Sequence, residues 1–380
     1  MPSPDQSGRT VCIGLISGTS ADGIDAVVAS FADGSDAAPK IMAATTVAYP
    51  QSIRASLQPL LDSGQVASLA TLGELDSAIG DCFAAAASQV CEQAGIAMHT
   101  IHAIGSHGQT VAHDADSAQP YSLQLGDPNR IALRCQIPVV ADFRRMDLAA
   151  GGHAAPLAPL LHAQLFRRHD EDVAVVNIGG IANISLLPAD PGQAVTGFDS
   201  GPGNCLLDNW YRAHRAGDFD RDGQWAASGN VNQALLKDLL AEPWLSRPAP
   251  KSTGREHFSL DWLQQRHAGV RRLPAEDVQA TLLQFTARSI VNALPGKGRI
   301  RELIVCGGGA HNQTLLDALA RLLPNGRVSA SDDHGHAADH IEGLLFAWLA
   351  WQRMQNRPID TGSITGATQP LLLGNLFRAS

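Results

Sequence analysis

The sequence has no C-x-x-C pair, no run of basic residues and no apolar run long enough to span a bilayer. Its six cysteines are scattered, so neither a zinc site nor a redox dithiol is predicted. The net charge of −9 argues against nucleic acid or an anionic membrane surface as a partner. Residues 1–9 are polar and lack the apolar core of a signal peptide, so we expect a cytoplasmic protein.

Several standard motifs are also missing. The Gly296-Lys297 pair is followed by Gly298, so there is no Walker A loop. No G-x-G-x-x-G fingerprint opens a helix after the first predicted strand, and no G-x-S-x-G elbow is present. Residues 218–223 match the first half of a calcium loop, but Gly229 stands where a glutamate ligand is required. An acidic turn or a substrate-side loop is therefore favoured there over an EF-hand.

What the chain does have is a repeated order of strands and helices. Its 380 residues exceed the usual size of one core, so two domains are predicted. Each half begins with a strand, a glycine-bearing turn and a second strand, and continues with alternating strands and helices. We predict one α/β lobe over residues 1–143 and a second over 144–355, with the tail 356–380 packing back on the first. Two such lobes would face a ligand cleft between them.

Glycine and polar residues follow five predicted strands. These segments lie at residues 14–25, 105–110, 177–183, 199–204 and 307–309. In α/β proteins the loops at the carboxyl ends of the strands form the site. The first segment is a predicted hairpin whose tip of small, hydroxyl and carboxylate residues suits a phosphate and a metal ion. The alternative is an ordinary tight turn, since Asp-Gly is a standard turn dipeptide.

Asp199 is the candidate catalytic base. It follows a predicted apolar strand and precedes a glycine-rich turn that leaves room for a substrate. Burial there would raise the pKa of its carboxyl toward a useful range. The alternative is an N-cap for the helix that begins at Cys205, a role that Asn204 or Ser200 could also fill.

Four further polar residues suit a sugar ligand. His107 and Gln109 stand in the second glycine segment and offer both donors and acceptors. Arg144 and Asp147 follow a strand predicted at 137–143, where they could bind substrate or simply pair with each other. For His107 the alternative is a hydrogen-bonded structural histidine.

A basic segment lies later in the chain. Lys251 and Arg255 flank Ser252-Thr253-Gly254 and could approach a phosphate. A surface loop is the plain alternative.

Seven motifs occur in an order that resembles the anhydro-N-acetylmuramic acid kinase family. The resemblance covers nearly the whole chain, residues 13–376. It implies an α/β, two-lobed actin/Hsp70/hexokinase-like fold, a ribonuclease H-like duplicated architecture, with ATP in the interdomain cleft. The motifs lie at residues 17–25, 105–110, 141–147, 177–180, 197–204, 250–256 and 305–309.

The resemblance also implies the reaction and the roles of the residues. ATP, water and 1,6-anhydro-N-acetylmuramic acid would give N-acetylmuramic acid 6-phosphate and ADP, in recycling of cell-wall peptidoglycan. Asp199 would be the base for the water. A homodimer is expected from the resemblance alone. The nucleotide contacts would be Gly18, Thr19, Ser20, Ala21, Asp22, Gly23, Ile24, Asp25, Gly179, Gly180, Gly307, Gly308 and Gly309. The sugar contacts would be His107, Gln109, Arg144, Asp147 and Glu342, and Mg²⁺ would be held through the phosphates by Asp22 and Asp25.

The chain departs from the family pattern on the sugar side. His153 and Ala154 stand in a stretch where the family commonly has Gly-Gly-Gln-Gly-Ala-Pro-Leu, Ile16 replaces a usual Met, and Met146 replaces a frequent Arg. Two other hypotheses remain open at this point. One is an ATP-dependent switch or assembly protein on the same fold, and the other is a hydrolase of the anhydro bond that uses no ATP.

Overall fold

The structure, a computed structural model, describes residues 9–18, 21, 23–32, 38–249, 251–254, 256–296 and 298–379. They divide into two compact units. Unit 1 contains the described residues up to Leu165 and those from His340 onward, and unit 2 spans Phe166–Asp339. The sequence predicts boundaries at 143/144 and 355/356, whereas the structure places residues 144–165 and 340–355 in unit 1.

The elements follow one another in chain order as mixed strands and helices. The strands are β1 (Arg9–Ser17), β2 (Ile24–Ala32), β3 (Lys40–Val47), β4 (Ala103–Asp114), β5 (Tyr121–Leu125), β6 (Val139–Ala141), β7 (Asp172–Ile178), β8 (Ile181–Leu187), β9 (Thr196–Pro202), β10 (Ile300–Cys306), β11 (Arg327–Ala330) and β12 (Asn375–Phe377). The helices are α1 (Gln51–Ser63), α2 (Leu69–Ala94), α3 (Pro128–Cys135), α4 (Arg145–Ala149), α5 (Ala158–Phe166), α6 (Cys205–His214), α7 (Gln224–Ser228), α8 (Gln233–Leu240), α9 (Leu260–Arg266), α10 (Ala275–Ala293), α11 (Gln313–Leu322), α12 (Ile341–Met354) and α13 (Gly362–Thr365). Short 3₁₀ helices lie at Met98–Thr100, Arg221–Gly223, Pro243–Ser246, Val270–Arg272, Gly308–His311, Ser331–His334 and Ala338–His340.

Unit 1 is built on a seven-stranded sheet. Its strand order is β12-β6-β4-β1-β2-β3, and β5 pairs with β4 outside that path. β1 is antiparallel to β2 and parallel to β4, and β4 is parallel to β6. The apolar run of β1 is buried along nearly its whole length, as expected of a central strand covered on both faces.

Unit 2 repeats this order on a smaller sheet. Its five strands are arranged β11-β10-β7-β8-β9, with β7, β8 and β9 antiparallel and β10 and β11 added parallel to β7. In both units, three antiparallel strands are followed by two that join parallel to the first. The prediction of a duplicated α/β architecture is therefore confirmed. Among the helices of the described residues, none combines the length and apolar character that crossing a membrane would require.

Helix α12 lies directly against the central strands of unit 1. A Cβ at Gly14 of β1 would stand 1.9 Å from the carbonyl oxygen of Gly343, and one at Gly105 of β4 would stand 2.0 Å from that of Phe346. Only glycine permits such an approach of helix to sheet. The apolar residues of α12, such as Leu344 and Trp348, are buried in the core. This packing explains why α12 belongs to unit 1.

One glycine segment that was expected to be a loop lies within a strand, and another begins within one. Residues 105–110 are part of β4, and Asp199 lies inside β9 rather than after it. Gly105 serves the close packing of α12 described above, so its presence in the sequence does not mark a turn. Strand β5, which the sequence analysis did not identify, pairs with the extended second half of β4.

We expect Gly14→Ala to lower the free energy of unfolding by about 2–3 kcal/mol, because the added methyl group must displace the backbone of α12. Gly73→Ala is the matched control. Gly73 lies within α2 with no heavy atom within 4 Å of an added Cβ, so alanine there should stabilise by up to about 1 kcal/mol. Urea unfolding of the full chain, followed by circular dichroism, measures both. Equal effects of the two substitutions would contradict the packing argument.

Candidate functional site

The first glycine segment forms the predicted hairpin between β1 and β2. Ile16 of β1 pairs with Asp25 of β2, and the Ser17 hydroxyl donates to the carbonyl oxygen of Gly23 at 2.8 Å. The backbone N–H of Ala21 donates to the Gly18 carbonyl at 3.0 Å, which closes the turn. The predicted nucleotide contact Ile24 is fully buried at the start of β2. The predicted contacts Thr19, Ser20 and Asp22 lie outside the described residues.

Gln109 ties β4 to this hairpin. Its side-chain Nε2 donates to the carbonyl oxygens of Gly18 and Thr110, each at 3.1 Å, and its side chain is fully buried. Its Oε1 atom accepts no hydrogen bond from any residue that the structure describes. A buried acceptor of this kind is costly unless a ligand or water donates to it.

His107 and Arg144 form a buried pair in unit 1. Arg144 Nε donates to His107 Nε2 at 2.8 Å, so that nitrogen carries no proton. The proton is then on Nδ1, 3.1 Å from the Gly108 carbonyl oxygen. Burial and the Arg144 charge hold the pKa of His107 well below its usual range. The ring also packs on Phe346 with a centroid separation of 4.5 Å. His107 is therefore a neutral imidazole whose two ring nitrogens each have a protein hydrogen-bond partner.

The Arg144 guanidinium is itself desolvated. Burial lowers its pKa to about 10, against the opposing charges of Glu342 and Asp147. Its Nη1 donates to the Ala154 carbonyl oxygen at 2.5 Å. Glu342 lies in the first turn of α12 and is half-buried. In the structure, Arg144 therefore interacts with both His107 and Glu342.

Asp147 has a supporting position. It is fully buried, and its Oδ1 accepts from the hydroxyls of Thr361 and Thr365 at 2.6 and 2.8 Å. Its Oδ2 accepts from the backbone N–H of Ala154 at 2.7 Å. Both carboxylate oxygens are thus held by protein donors. Asp147 fixes Ala154, whose carbonyl in turn receives Arg144.

The departure from the family pattern at Ala154 leaves these contacts in place, because they involve only its backbone. Ala154 has a φ of 58°, a conformation that glycine adopts without strain.

In unit 2, three glycine turns meet at the same end of the sheet. The backbone N–H of Gly203 donates to the Gly180 carbonyl at 2.9 Å, and that of Asn204 donates to the Gly179 carbonyl at 2.8 Å. The Asn204 side chain donates to the carbonyl of Ile178 at 3.1 Å. A Cβ at Gly308 would stand 3.7 Å from the same Asn204 side chain. The turns after β7, β9 and β10 therefore form one cluster.

The glycines after β10 are required by close packing on β7. Gly307 has a φ of 73°, and a Cβ there would lie 2.2 Å from Asn177 Oδ1. A Cβ at Gly309 would lie 2.4 Å from the Ile178 side chain. Gly308 meets no such obstacle and presents an open backbone. The segment thus exposes main chain at Gly308, five residues before α11 begins.

Asp199 lies on β9 opposite Asn183 of β8. Its Oδ2 accepts from the backbone N–H of Thr253 at 2.9 Å, and its own N–H donates to the Lys251 carbonyl at 3.0 Å. Burial raises the pKa of the Asp199 carboxyl to about 7, against the lowering effects of the Thr253 hydrogen bond and the Lys251 charge. Such a carboxyl is half ionised near neutral pH and can accept a proton.

The N-cap alternative for Asp199 is not what the structure shows. Asn204 occupies the N-cap position of α6, and its side chain makes no capping hydrogen bond. Asp199 lies five residues earlier and is held by the segment at 251–254.

Lys251 lies beside Asp199 rather than on a surface loop. It is 8% exposed, its Nζ donates to the Leu245 carbonyl at 2.8 Å, and it lies 4.5 Å from the centroid of the Trp244 ring. Burial lowers the pKa of Lys251, against the attraction of Asp199. The sequence drew attention to this segment, but nothing in it indicated Asp199 as the neighbour. The companion residue Arg255 lies outside the described part of the chain.

Metal-binding groups are sparse in the described residues. Within them no three His, Cys, Asp or Glu side chains come together as a cation site. Asp25 is partly buried, and its Oδ1 accepts from the Thr46 hydroxyl at 2.6 Å. In the acidic turn at 218–223, Asp220 accepts from the backbone N–H groups of Trp225 and Ala226, each at 2.9 Å. That turn therefore closes onto α7.

Comparison with known proteins gives one consistent result. A family model described as anhydro-N-acetylmuramic acid kinase matches residues 10–379. A curated protein of that description from Xanthomonas axonopodis pv. citri is 47% identical over 368 residues, covering 97% of this chain and 98% of the relative. One from Xanthomonas oryzae pv. oryzae is 45% identical over 380 residues and covers 100% of both chains. One from Photobacterium profundum is 43% identical over 378 residues, covering 97% and 98%.

We expect Asp147→Asn to lower the free energy of unfolding by about 2 kcal/mol or more, because the new amide nitrogen cannot accept a hydrogen bond where the carboxylate oxygen did. Asp360→Asn is the control. Among the described residues, the exposed Asp360 accepts only from the backbone N–H of Gly362 in its own turn, and an asparagine oxygen can accept the same hydrogen bond. Denaturant titration of both variants checks this. A negligible change in the free energy of unfolding of Asp147→Asn would contradict the argument that the Asp147 hydrogen bonds stabilise the protein.

We expect the Asp199 carboxyl to titrate with a pKa of about 7 and to shift upward in Lys251→Met, because losing a nearby positive charge disfavours the ionised carboxylate. Carboxyl ¹³C NMR measures this, with Asp199→Asn assigning the signal. Lys237→Met removes an exposed lysine of α8 and should leave the titration unchanged. A pKa near 4 in the unmodified protein would contradict the burial argument.

Proposed function

The chain belongs to the anhydro-N-acetylmuramic acid kinase family, and we propose that Asp199 is the base of its water-dependent phosphoryl transfer. The family implies ATP-dependent phosphorylation in cell-wall recycling, so the protein is a kinase. The observation that carries the proposal is the position of the Asp199 carboxyl on β9, where the Thr253 N–H holds Oδ2 and burial raises the carboxyl pKa.

The reaction has to solve one chemical problem. In 1,6-anhydro-N-acetylmuramic acid, O6 is tied up in a bridge to C1. Water adds its oxygen to C1 and the C1–O6 bond breaks. O6 takes the γ-phosphoryl group of ATP, whose bond to ADP breaks. The proton released by water goes to a base, and the products are N-acetylmuramic acid 6-phosphate and ADP.

Asp199 suits the role of that base. An ordinary aspartate is too acidic to hold a proton near neutral pH, whereas burial raises the pKa of the Asp199 carboxyl to about 7. The Thr253 N–H holds Oδ2, which leaves Oδ1 for the water. The positive charge of Lys251 lowers the pKa of Asp199 and so favours its ionised form, which is the form that accepts a proton. We therefore assign Lys251 as a positioning residue for Asp199.

The glycine turns suit the nucleotide. In unit 1 we assign the hairpin at residues 18–25 to phosphate contacts. In unit 2 we assign Gly179-Gly180 to phosphate contacts and the open backbone at Gly308 to the nucleoside. Mg²⁺ is usually bound through substrate phosphates and only one or two protein carboxylates, so it does not need a cluster of three, which the described residues lack. Asp25 and Asp22 would hold the ion. When bound, Mg²⁺ offsets the charge that develops on the transferring phosphoryl group.

The sugar is assigned to unit 1. Arg144 supplies a desolvated positive charge, which Glu342 partly balances. His107 supplies a neutral ring, and Gln109 supplies its Oε1 atom as an acceptor that no described residue occupies. Asp147 contributes by holding Ala154 and through it Arg144, rather than by contact with the sugar. A homodimer stays a prediction from family resemblance, and a cytoplasmic location stays a prediction from the sequence.

The decisive experiment uses anhydro-N-acetylmuramic acid, Mg-ATP and ¹⁸O-water. We expect one ¹⁸O in the sugar product and none in its phosphate, because water attacks carbon and O6 attacks phosphorus. Mass spectrometry and ³¹P NMR measure the two positions. Unlabelled N-acetylmuramic acid 6-phosphate, kept in ¹⁸O-water for the same time, controls for exchange at C1. Label in the phosphate, or ADP release without sugar, would refute the mechanism, and the second outcome would favour an ATP-dependent switch.

Asp199→Asn should reduce kcat by about 10²–10⁴-fold while leaving ATP binding nearly unchanged, because the amide cannot take a proton. Asp170→Asn, at an exposed aspartate of the same unit, is the matched control and should retain full turnover. Steady-state kinetics and calorimetric ATP titration separate the two effects. Near-normal turnover of Asp199→Asn would remove this residue from the role of base.

A further inference from the structure

A groove with a volume of about 230 Å³ lies on unit 2, bordered by helices α8, α10 and α11. Leu236 and Leu322 contribute apolar surface to it, and Gln284, Arg288 and Arg321 contribute polar groups. Of the described residues that line it, none carries a carboxylate. The groove therefore has an excess positive charge in a protein whose net charge is −9.

The two arginines of the groove are unpaired in the described part of the chain. The Nε of Arg288 is buried there without a hydrogen-bond acceptor. Arg321 is exposed and makes no ion pair or hydrogen bond with the described residues. By contrast, Arg168 and Arg327 of the same unit both pair with the buried Glu302. A buried guanidinium N–H without an acceptor is costly, so an oxyanion in the groove would stabilise it.

The groove is separate from the glycine turns of unit 2. Helix α11 begins at Gln313, next to the glycine segment, and Arg321 lies eight residues further on, about 12 Å along the helix axis. Arg288 lies in the last third of α10, and the chain passes from the end of α10 to the start of β10. The glycine segment follows the other end of β10. The two arginines therefore lie toward the opposite end of the unit from the proposed nucleotide contacts.

We propose that this groove is a second anion site that binds the phosphate group of a small phosphorylated metabolite. Two guanidinium groups match a phosphate dianion in charge, and their N–H groups match its oxygens in geometry. The amide of Gln284 can hydrogen-bond to the hydroxyls of the remainder of the ligand. The volume of about 230 Å³ suits a phosphate monoester and is small for a nucleotide. This inference does not depend on the proposed reaction.

The test is calorimetric titration of the full chain with inorganic phosphate, at constant ionic strength and with a non-hydrolysable ATP analogue saturating the nucleotide site. We expect one further phosphate site. Its Kd should weaken about tenfold or more in Arg288→Gln and in Arg321→Gln, since each loses a charged donor. Arg271→Gln, at an exposed arginine outside the groove, is the matched control and should leave the Kd unchanged. Acetate, with one charge, should bind at least about tenfold more weakly than phosphate.

Several results of this titration would overturn the proposed anion site. Absence of phosphate binding to the analogue-saturated protein overturns it, and so does an unchanged Kd in both groove variants. Acetate binding as tightly as phosphate would overturn the choice of a phosphate ligand. Arg321 is exposed, so Arg321→Gln keeps the test valid even if Arg288→Gln folds poorly. Sugar kinase activity should persist in Arg321→Gln, so a failure of the anion site and a failure of the proposed reaction would be distinguishable.

Discussion

Unit 1 depends on the direct contact between the backbone of α12 and the two central parallel strands. Gly14 and Gly105 lie side by side in register on β1 and β4, and each faces a carbonyl of the helix at a distance that excludes a side chain. Because α12 comes from the far end of the chain, this contact joins sequence positions more than 200 residues apart. It also brings Phe346 onto the His107 ring and Glu342 to the neighbourhood of Arg144. The packing of α12 therefore helps to position the polar residues His107, Arg144 and Glu342 of unit 1.

A second constraint governs the electrostatics of both units. The functional candidates are buried or partly buried, and this burial, more than the local sequence, shifts their pKa values. It raises the pKa of Asp199 and lowers those of His107 and Arg144. The result is a carboxyl that can accept a proton and an imidazole that stays neutral. An exposed aspartate would be fully ionised at neutral pH and a much weaker base.

The sequence was most informative where physical patterns are local. Helix α6 begins at Cys205, the residue at which the sequence predicts its start. The duplicated order of elements was also visible, because each half repeats a strand, a glycine-bearing turn and a strand. The short strands β5, β11 and β12 carry too few residues for a periodic signal. The boundaries of the units depend on long-range packing of α12, which no local pattern contains.

For the candidate site, the residue types were predictable and their partners were not. The order of the motifs was enough to identify the family, and polar residues among glycines marked Asp199, His107 and Gln109. Only the tertiary structure decided that Asp147 supports Ala154, that Lys251 lies beside Asp199, and that Gln109 holds Gly18. The physical reason is the same in each case. A residue's chemistry is carried by its own side chain, whereas its burial and its hydrogen-bond partners come from segments that only folding brings into contact.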